Sequence, residues 1–303
     1  MHATKPKFGY VTIIGATNVG KSTLVNALVG NKVSIVTRKQ QTTRSKILGI
    51  FCFNSSQVVL VDTPGIFKPK RRLDRAMLHN AWDSIKDSDL IMLMIDANKD
   101  NEGNLSLIDH LKQISSIKDK KVICIINKID LVKKNVILEL TNDLQKFFIF
   151  QDFYFISALK GDGVEELKLY LSKNIPEGRW LFPEDQITNI PYRLLASELV
   201  REKLLNILHK ELPYQIMVET EDWNDLEDRS VRIDILIYVN KTGQKKIVEG
   251  SGGENIKKVG ILVRKELSRM LNKKVHIFIF VKVQKNWDSR PEYFEKLGLK
   301  YNV

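Results

Sequence analysis

The stretch "IIGATNVGKST", from Ile13 to Thr23, decides the fold of the first half of the chain. It contains the spacing G-x-x-x-x-G-K-[ST], whose two glycines let the backbone wrap around an anion with its N–H groups pointing inward. The helix that begins near Lys21 adds the partial positive charge of its N-terminus. Lys21 is expected to reach the β- and γ-phosphates of a nucleotide, and the Ser22 hydroxyl to bind Mg²⁺. The stretch therefore predicts a phosphate site, and the rest of the chain must show which nucleotide it serves.

Continuous apolar runs alternate with helical patterns from Tyr10 to about Leu171. Runs without polar alternation indicate strands that are buried on both faces, and hence a mostly parallel sheet covered by helices. We therefore expect an α/β, doubly wound domain over residues 1–174. The runs are "YVTIIG" (10–15), "VVLVD" (58–62), "LIMLMID" (90–96), "KVICIINK" (121–128) and the weaker "DFYFISA" (152–158).

The pattern changes after residue 174. Residues 175–191 hold three prolines and little periodicity, so we expect a linker whose Trp180, Leu181 and Phe182 pack on a neighbour. Residues 192–303 follow the order helix–strand–strand–helix–helix–strand, with a Gly-rich turn between the two later helices. This order predicts an α+β second domain.

Charge and composition restrict the partners and the compartment. The net charge is +12, and residues 241–285 carry twelve Lys/Arg against three acids, which favours an acidic partner such as nucleic acid or anionic lipid. Cys52 and Cys124 lie in apolar, strand-like runs and are interpreted as small buried residues of a reducing compartment. No apolar run is long enough to span a bilayer, and the N-terminus lacks the apolar core of a secretory signal. A cytoplasmic protein is expected.

Two further segments bear on the γ-phosphate. The tetrapeptide "DTPG" begins at Asp62, where a carboxylate at the end of a strand can hold Mg²⁺ through water, and the Gly65 amide can face a γ-phosphate. A threonine of "RKQQTTRSK" (38–46) can complete the coordination of Mg²⁺, which would make this a loop that orders with the triphosphate. We favour Thr43 over Thr42 for that role, and the alternative is a basic, solvated loop.

The base is indicated by "NKID" (127–130), which follows a buried strand. The carboxylate of Asp130 can accept hydrogen bonds from N1–H and the 2-amino group of guanine, a pair of donors that adenine lacks. The small residues of "SALKG" (157–161) can direct backbone N–H groups at guanine O6. The predicted ligand is therefore GTP or GDP.

The motifs "GATNVGKS", "QQTTR", "DTPGI", "NKID" and "SAL" occur in the order of a translation-factor-type GTPase, and the whole chain resembles the Era family. The resemblance implies a P-loop GTPase domain followed by a type II KH domain. It also implies an RNA target, the 3′ end of small-subunit ribosomal RNA, bound on the precursor small ribosomal subunit during its maturation. Ile66 stands where Ras-like enzymes place a water-orienting glutamine, as is typical of this family. In related GTPases with an asparagine at the position of Asn18, K⁺ can replace an arginine finger.

The turn Gly250-Ser251-Gly252-Gly253 opens a helix in the predicted KH domain. KH domains use such a G-x-x-G turn to clamp about four single-stranded nucleotides. Lys257 and Lys258 on the following helix can add cationic contacts to phosphate. A lysine often stands at the position of Ser251 in related domains, and a KH-like fold that contacts protein instead is the alternative.

The candidate residues form four sets. Catalytic roles are assigned to Lys21, Asn18, Thr43 and Gly65, and Mg²⁺ binding to Ser22, Thr43 and Asp62. RNA contacts are assigned to Gly250, Ser251, Gly252, Gly253, Lys257 and Lys258. Contacts to GTP are expected from Gly15, Ala16, Thr17, Asn18, Val19, Gly20, Lys21, Ser22 and Thr23, from Asp62, Thr63, Pro64, Gly65 and Ile66, and from Asn127, Lys128, Asp130, Ser157, Ala158 and Leu159.

Two rival functions stay open from the sequence. A membrane-associated signalling GTPase would place its basic second domain on anionic lipid, and a passive RNA-binding protein would not respond to its nucleotide. The basic run "KPKRR" (68–72) fits contact with ribosomal RNA, contact with a membrane, or a solvated loop. A monomer is expected, cytoplasmic and in part peripheral at the inner membrane surface.

Overall fold

The computed structural model describes residues 5–39, 42–99, 102–113, 117 and 119–303, without the side chains of residues 102–106. The described residues form two compact units. Unit 1 draws on Met1–Ser34, Thr43–Asn189 and Leu297–Val303, and unit 2 on Ile35–Thr42 and Ile190–Lys296. The fold class predicted above is confirmed, and the domain limits 1–174, 175–191 and 192–303 stay predictions.

A sheet with the order β2-β3-β1-β4-β5-β6 forms the centre of unit 1. Its pairings are parallel except that of β2 with β3, which is antiparallel. The carboxyl ends of β1, β3, β4 and β5 therefore lie along one edge, where the predicted nucleotide motifs follow the strands. The strands are β1 (Lys7–Gly15), β2 (Ile47–Phe53), β3 (Ser56–Asp62), β4 (Leu90–Asp96), β5 (Lys121–Asn127) and β6 (Phe153–Ile156).

Helices cover both faces of this sheet. Residues of α1 and α5 share one apolar core with the strands, and residues of α3 and α4 share another on the opposite face. Every residue of β4 is buried, as its unbroken apolar run predicts. The helices are α1 (Lys21–Val29), α2 (Arg72–Asp83), α3 (Glu102–Gln113), α4 (Lys134–Phe147) and α5 (Val164–Asn174).

The Pro-rich linker packs on unit 1, as predicted. Gln57 in β3 donates from Nε2 to the Phe182 carbonyl (2.8 Å), and its Oε1 accepts from the amides of Leu181 and Phe182 (3.1 and 3.0 Å). The Trp180 indole donates to the Ser55 carbonyl at 3.2 Å. The Leu181 side chain is nonetheless exposed, because Leu181 contacts Gln57 through its backbone amide.

Unit 2 has the predicted order of elements up to its last strand, and a short helix that was not predicted follows that strand. Strand β7 pairs antiparallel with β8, and β8 pairs parallel with β9. Apolar residues of α6 and α8 pack on this sheet in one core. The elements are α6 (Tyr192–Ile207), β7 (Met217–Asp225), β8 (Val231–Val239), α7 (Thr242–Glu249), α8 (Glu254–Leu271), β9 (Val275–Val283) and α9 (Pro291–Lys296).

The two cysteines differ in burial. Cys124 is buried in β5, as predicted, whereas Cys52 is only half-buried, so the prediction that both are buried is wrong for Cys52. The reason is that β2 is the edge strand of the sheet. Among the described residues, no helix combines the length and apolar character that a membrane crossing needs.

Candidate functional site

The phosphate-binding loop (P-loop, residues 15–22) is closely packed against its neighbours. Gly20 has a left-handed backbone (φ 107°), and a Cβ there would overlap the side-chain nitrogen of Asn127. Gly65 of "DTPG" lies so close to the P-loop that a Cβ on it would be 2.8 Å from Cα of Thr17. Only glycine fits at either position without displacing the loop, and the Gly65 amide is therefore held beside the P-loop.

Lys21 is buried inside the P-loop. Its ammonium donates to the carbonyls of Gly15 (3.1 Å) and Ala16 (3.0 Å). Burial lowers the pKa of Lys21 to about 8, an effect that Asp62 opposes and the charge of Lys99 reinforces. A buried ammonium held by carbonyl oxygens gains an anionic partner when phosphate binds beside it.

Three hydroxyl groups converge on one carboxylate oxygen. Oδ2 of Asp62 accepts hydrogen bonds from Ser22 (2.7 Å), Ser34 (2.7 Å) and Thr43 (3.3 Å). The hydroxyls of Ser22 and Thr43 are themselves 2.9 Å apart. Burial raises the pKa of Asp62, and the hydrogen bonds from the three hydroxyls act in the opposite direction.

This cluster fits Mg²⁺. The second carboxylate oxygen of Asp62, Oδ1, is buried and makes no hydrogen bond within the part of the chain that the structure describes. A carboxylate and hydroxyl oxygens are the hard ligands that Mg²⁺ takes, together with water and phosphate. Ser22, Thr43 and Asp62 would hold the ion, and an ion there would satisfy the unpaired oxygen.

The two threonines of "QQTTR" are separated by the structure. Thr43 is buried and lies on Asp62, whereas the Thr42 hydroxyl donates to the Lys39 carbonyl at 2.9 Å. Only Thr43 is thus in contact with the other proposed ligands. Gln40 and Gln41 of the motif lie outside the described residues.

Asn127 joins two loops of the base site. Its amide nitrogen donates to the Val19 carbonyl (2.7 Å), and its Oδ1 accepts from the Ala158 amide (2.9 Å). The side chain is 3% exposed, so it is a structural connection between the P-loop and "SALKG". Lys128 adds a second connection, because its ammonium donates to the Asn18 carbonyl at 2.9 Å.

Asp130 presents an ionised acceptor. A hydrogen bond from the Ser157 hydroxyl is the main reason that the pKa of this carboxyl is lowered, and the backbone amide of Asp130 and the nearby Lys160 act in the same direction. Lys160 Nζ lies 3.4 Å from Asp130 Oδ2. A deprotonated carboxylate can accept both guanine donors, which is what recognition of that base needs.

Two predicted contact residues turn their side chains elsewhere. The Thr63 hydroxyl donates to the Ile13 carbonyl at 2.7 Å and is fully buried. The Leu159 side chain is 84% exposed. Contacts of these two residues with a nucleotide would therefore come from the backbone.

Sequence reasoning missed Ser34 and Asn26. Oδ1 of Asn26, in α1, accepts the amides of Val33 and Ser34 at 2.9 Å each, and its Nδ2 donates to the Ser34 carbonyl at 2.8 Å. Asn26 thereby holds Ser34 where its hydroxyl reaches Asp62. No recognised spacing links these positions. The prediction also missed Asp96, which pairs with Lys128 at 2.5 Å.

In unit 2 the turn of residues 250–253 lies beside a cleft of about 480 Å³. The cleft is lined by the three glycines of the turn, by Lys245, Glu249 and Ile256, and by Ile279, Phe280 and Val281 of β9. Gly253 has a left-handed backbone (φ 81°), and nothing would meet a Cβ placed on it. Lys257 and Lys258 are exposed on α8. An apolar floor beside a glycine turn and lysines can take bases and backbone phosphates.

Comparisons with known proteins assign both units. Residues 10–128 match the family model described as 50S ribosome-binding GTPase, and residues 211–288 match the KH domain model. The GTPase Era of Brucella suis biovar 1 (strain 1330) is 50% identical over 99% of this chain and 95% of its own length. The GTPase Era of Rhizobium meliloti (strain 1021) is 49% identical over 99% and 95%.

Two solved structures are similar along the whole chain. One is an Era variant from Aquifex aeolicus bound to GDP and AlF4⁻, and the other is Era in complex with MgGDPNP and nucleotides 1506–1542 of 16S ribosomal RNA. Each has a TM-score of 0.90 and 38% identity, covering 98% of this chain and 100% of the other. The chain therefore belongs to the Era family: it is a GTPase with a P-loop GTPase domain followed by a KH domain.

Proposed function

We propose that this GTPase is a nucleotide-controlled RNA-binding switch that captures the 3′ end of small-subunit ribosomal RNA on the precursor small subunit. The observation that carries the proposal is the cleft beside the glycine turn, with its apolar floor and Lys245 in its lining, next to the exposed lysines of α8. Support also comes from the 16S fragment held by an Era protein that is 38% identical to this chain. The protein is proposed to act in the cytoplasm as a monomer, with any membrane contact peripheral.

In the proposed reaction, each group of the nucleotide site has one task. Lys21 places a positive charge against the β- and γ-phosphates, and the Gly65 amide donates to the γ-phosphate where negative charge develops. Asp130 fixes the guanine ring. Mg²⁺, held by Ser22, Thr43 and Asp62, would neutralise phosphate charge. Ile66 carries no group that could polarise water, so a group other than the Ile66 side chain must orient the attacking water.

We propose that K⁺ assists hydrolysis at Asn18. This residue lies in the P-loop with a left-handed backbone (φ 63°), and its side chain offers a neutral oxygen of the kind that K⁺ takes. A bound K⁺ would supply the positive charge that an arginine finger supplies in other GTPases. The rate of GTP hydrolysis in KCl is therefore expected to exceed that in NaCl by at least about tenfold. Phosphate release at matched ionic strength measures this. Asn18→Ala is expected to remove the difference, and equal wild-type rates in the two salts would contradict the proposal.

The RNA-binding switch is tested by affinity. A short single-stranded oligonucleotide of the ribosomal RNA 3′ end is titrated at fixed salt against protein loaded with a GTP analogue or with GDP. Tighter binding with the analogue is expected, because the similar Era structure holds its RNA together with MgGDPNP. A coupling of 1–3 kcal/mol is typical and corresponds to roughly 5- to 150-fold.

The controls separate the rival functions. A scrambled oligonucleotide of the same length reports binding that depends on charge alone. Equal affinity in the two nucleotide states would make the protein a passive RNA binder. Binding to acidic vesicles, with no binding to the oligonucleotide, would instead support the membrane-associated GTPase.

A further inference from the structure

The sheet of unit 2 has one face that packs on the helices α6 and α8 and an opposite face, here called the outer face. Along β9 these two faces alternate, because successive side chains of a strand point to opposite sides of the sheet. The outer face therefore carries two phenylalanines that are two residues apart. The residues of β9 on the helix side are Val275, Ile277, Ile279 and Val281, and those on the outer face are His276, Phe278, Phe280 and Lys282.

The two phenylalanines of the outer face are only half-buried. Phe278 is 44% exposed and Phe280 is 49% exposed. Leu236 of β8 lies opposite Phe280 and is 2% exposed. The outer face thus has an apolar base at Leu236, while two aromatic rings beside it are open to solvent.

The end of unit 2 covers another part of the outer face. Tyr293 of α9 packs on Tyr238 of β8, with ring centroids 5.4 Å apart, and Lys296 donates to Glu219 of β7 at 2.5 Å. Tyr238 lies opposite Lys282, which follows Phe280 on the same face of β9. The covered part therefore begins beyond Phe280 along the strand and leaves both phenylalanines half-exposed.

Arg232 of β8 is held over the ring of Phe278. Its guanidinium carbon lies 4.8 Å from the ring centroid. Two hydrogen bonds of 3.1 Å each, from Nε and from an Nη atom to the carboxylate of Asp234, fix the plane of the guanidinium. A planar guanidinium fixed beside an aromatic ring can stack on a nucleic-acid base and attract a phosphate.

The outer face meets the proposed RNA cleft at β9. This strand is at one edge of the three-stranded sheet, and its residues Ile279, Phe280 and Val281 line the cleft. Phe280 thus belongs both to the lining of the cleft and to the outer face. From Lys273 to Lys285 the chain carries four lysines and no acid, and the acidic strand β7 is at the opposite edge of the sheet. A polyanion that leaves the cleft across β9 therefore meets no negative charge on that strand.

We propose that Phe278 and Phe280, together with Arg232, form a second RNA subsite, on which one or two nucleotides stack after the RNA leaves the cleft. A glycine turn of this kind holds about four nucleotides, so the subsite lengthens the bound segment to about five or six. Successive outer-face residues of a strand are about 6.6 Å apart, a separation that an extended nucleotide chain can span. Aromatic rings on a sheet hold bases by stacking with little regard to sequence. The proposal rests on the proposed RNA-binding function.

The test measures how the affinity of the full-length protein for RNA depends on oligonucleotide length. The tetranucleotide of the ribosomal RNA 3′ end that binds most tightly is compared with two hexanucleotides, which extend it by two nucleotides at the 5′ end or at the 3′ end. Salt and bound GTP analogue are held fixed. Extension at one of the two ends is expected to tighten binding, by about 5- to 150-fold for each base that stacks. Abasic sites in the extension keep its phosphates and should remove most of this gain, a result that does not depend on any protein variant.

Protein variants assign the gain to the outer face. Phe278→Ala should reduce the gain from extension about fivefold or more and leave the affinity for the tetranucleotide within about twofold, because Phe278 does not line the cleft. Phe278→Tyr keeps an aromatic ring and should restore the gain, whereas Phe278→Leu keeps only the apolar surface and should not. Tyr192→Ala is the matched control, because Tyr192 is a 56% exposed aromatic residue of unit 2 that stacks on Trp223 of β7. It should leave the gain unchanged. Thermal unfolding confirms that each variant is folded before it is assayed.

The outcomes separate the subsite from the proposed function. A wild-type protein that binds none of the oligonucleotides would refute the RNA-binding function itself. Tetranucleotide binding that no extension improves would overturn the subsite alone. A gain that survives Phe278→Ala, or that abasic extensions reproduce in full, would likewise overturn it, because phosphate contacts elsewhere would then account for the added affinity.

Discussion

Replacing Asp130 by asparagine is expected to invert the base preference from guanine to xanthine nucleotides. The Asp130 carboxylate can accept from N1–H and the 2-amino group of guanine, whereas the asparagine amide offers one acceptor and one donor. Xanthine carries a carbonyl in place of the 2-amino group, so this donor finds a partner on xanthine and meets a second donor on guanine. A site built on such paired hydrogen bonds can discriminate by about 10⁴. Displacement of a fluorescent GDP analogue by GTP and by XTP measures the change.

The environment of Asp130 calls for two controls. Lys160→Gln removes the ammonium that lies 3.4 Å from Asp130 Oδ2, but it leaves the Asp130 carboxylate as the acceptor of the two guanine donors. The preference for guanine should therefore survive. Asp162→Asn removes the same negative charge as Asp130→Asn, but from an exposed residue nearby, and should leave the base preference unchanged. If Asp130→Asn still prefers GTP over XTP, the base is recognised elsewhere.

The sequence predicted those parts of the fold whose signal is local. The buried strand β4 agrees with the predicted Leu90–Asp96 because each of its residues is apolar or ends the strand. The pairing of β2 with β3 is local as well, because only Asn54 and Ser55 separate the two strands. That β2 is the edge strand of the sheet depends on residues distant in sequence, and this position leaves Cys52 only half-buried.

The residues of the candidate site likewise divide into those that a local sequence signal predicts and those that it does not. The P-loop, "DTPG" and "NKID" were found because phosphate and base contacts come from short segments of fixed spacing. Ser34 was not predicted because it lies in a loop, 28 residues before its partner Asp62 at the end of β3, and nothing near Ser34 marks a ligand. Spacing carries no information about pairs so far apart along the chain.

Replacing Gly253 by aspartate is expected to abolish RNA binding and to leave GTP hydrolysis within about twofold. Gly253 has a φ of 81°, which L-residues occupy at a cost of about 1–2 kcal/mol, although no atom obstructs a side chain there. The added carboxylate would stand at the N-terminus of α8, in the place proposed for RNA phosphate, and would repel it. Together these effects should weaken binding of the 3′-end oligonucleotide by about 100-fold or more.

The matched control is Gly243→Asp. Gly243 lies near the start of α7, where nothing would meet a side chain and φ is not positive. The substitution therefore adds the same negative charge to unit 2 without backbone strain. Its effect on RNA affinity should be at most a few-fold, since one exposed charge away from the turn changes only the overall field. Equal losses in the two variants would mean that net charge, and not the turn, governs RNA binding. Retained affinity in Gly253→Asp would reject the clamp, whereas loss of RNA binding with hydrolysis intact would show that the two activities occupy separate sites in one chain.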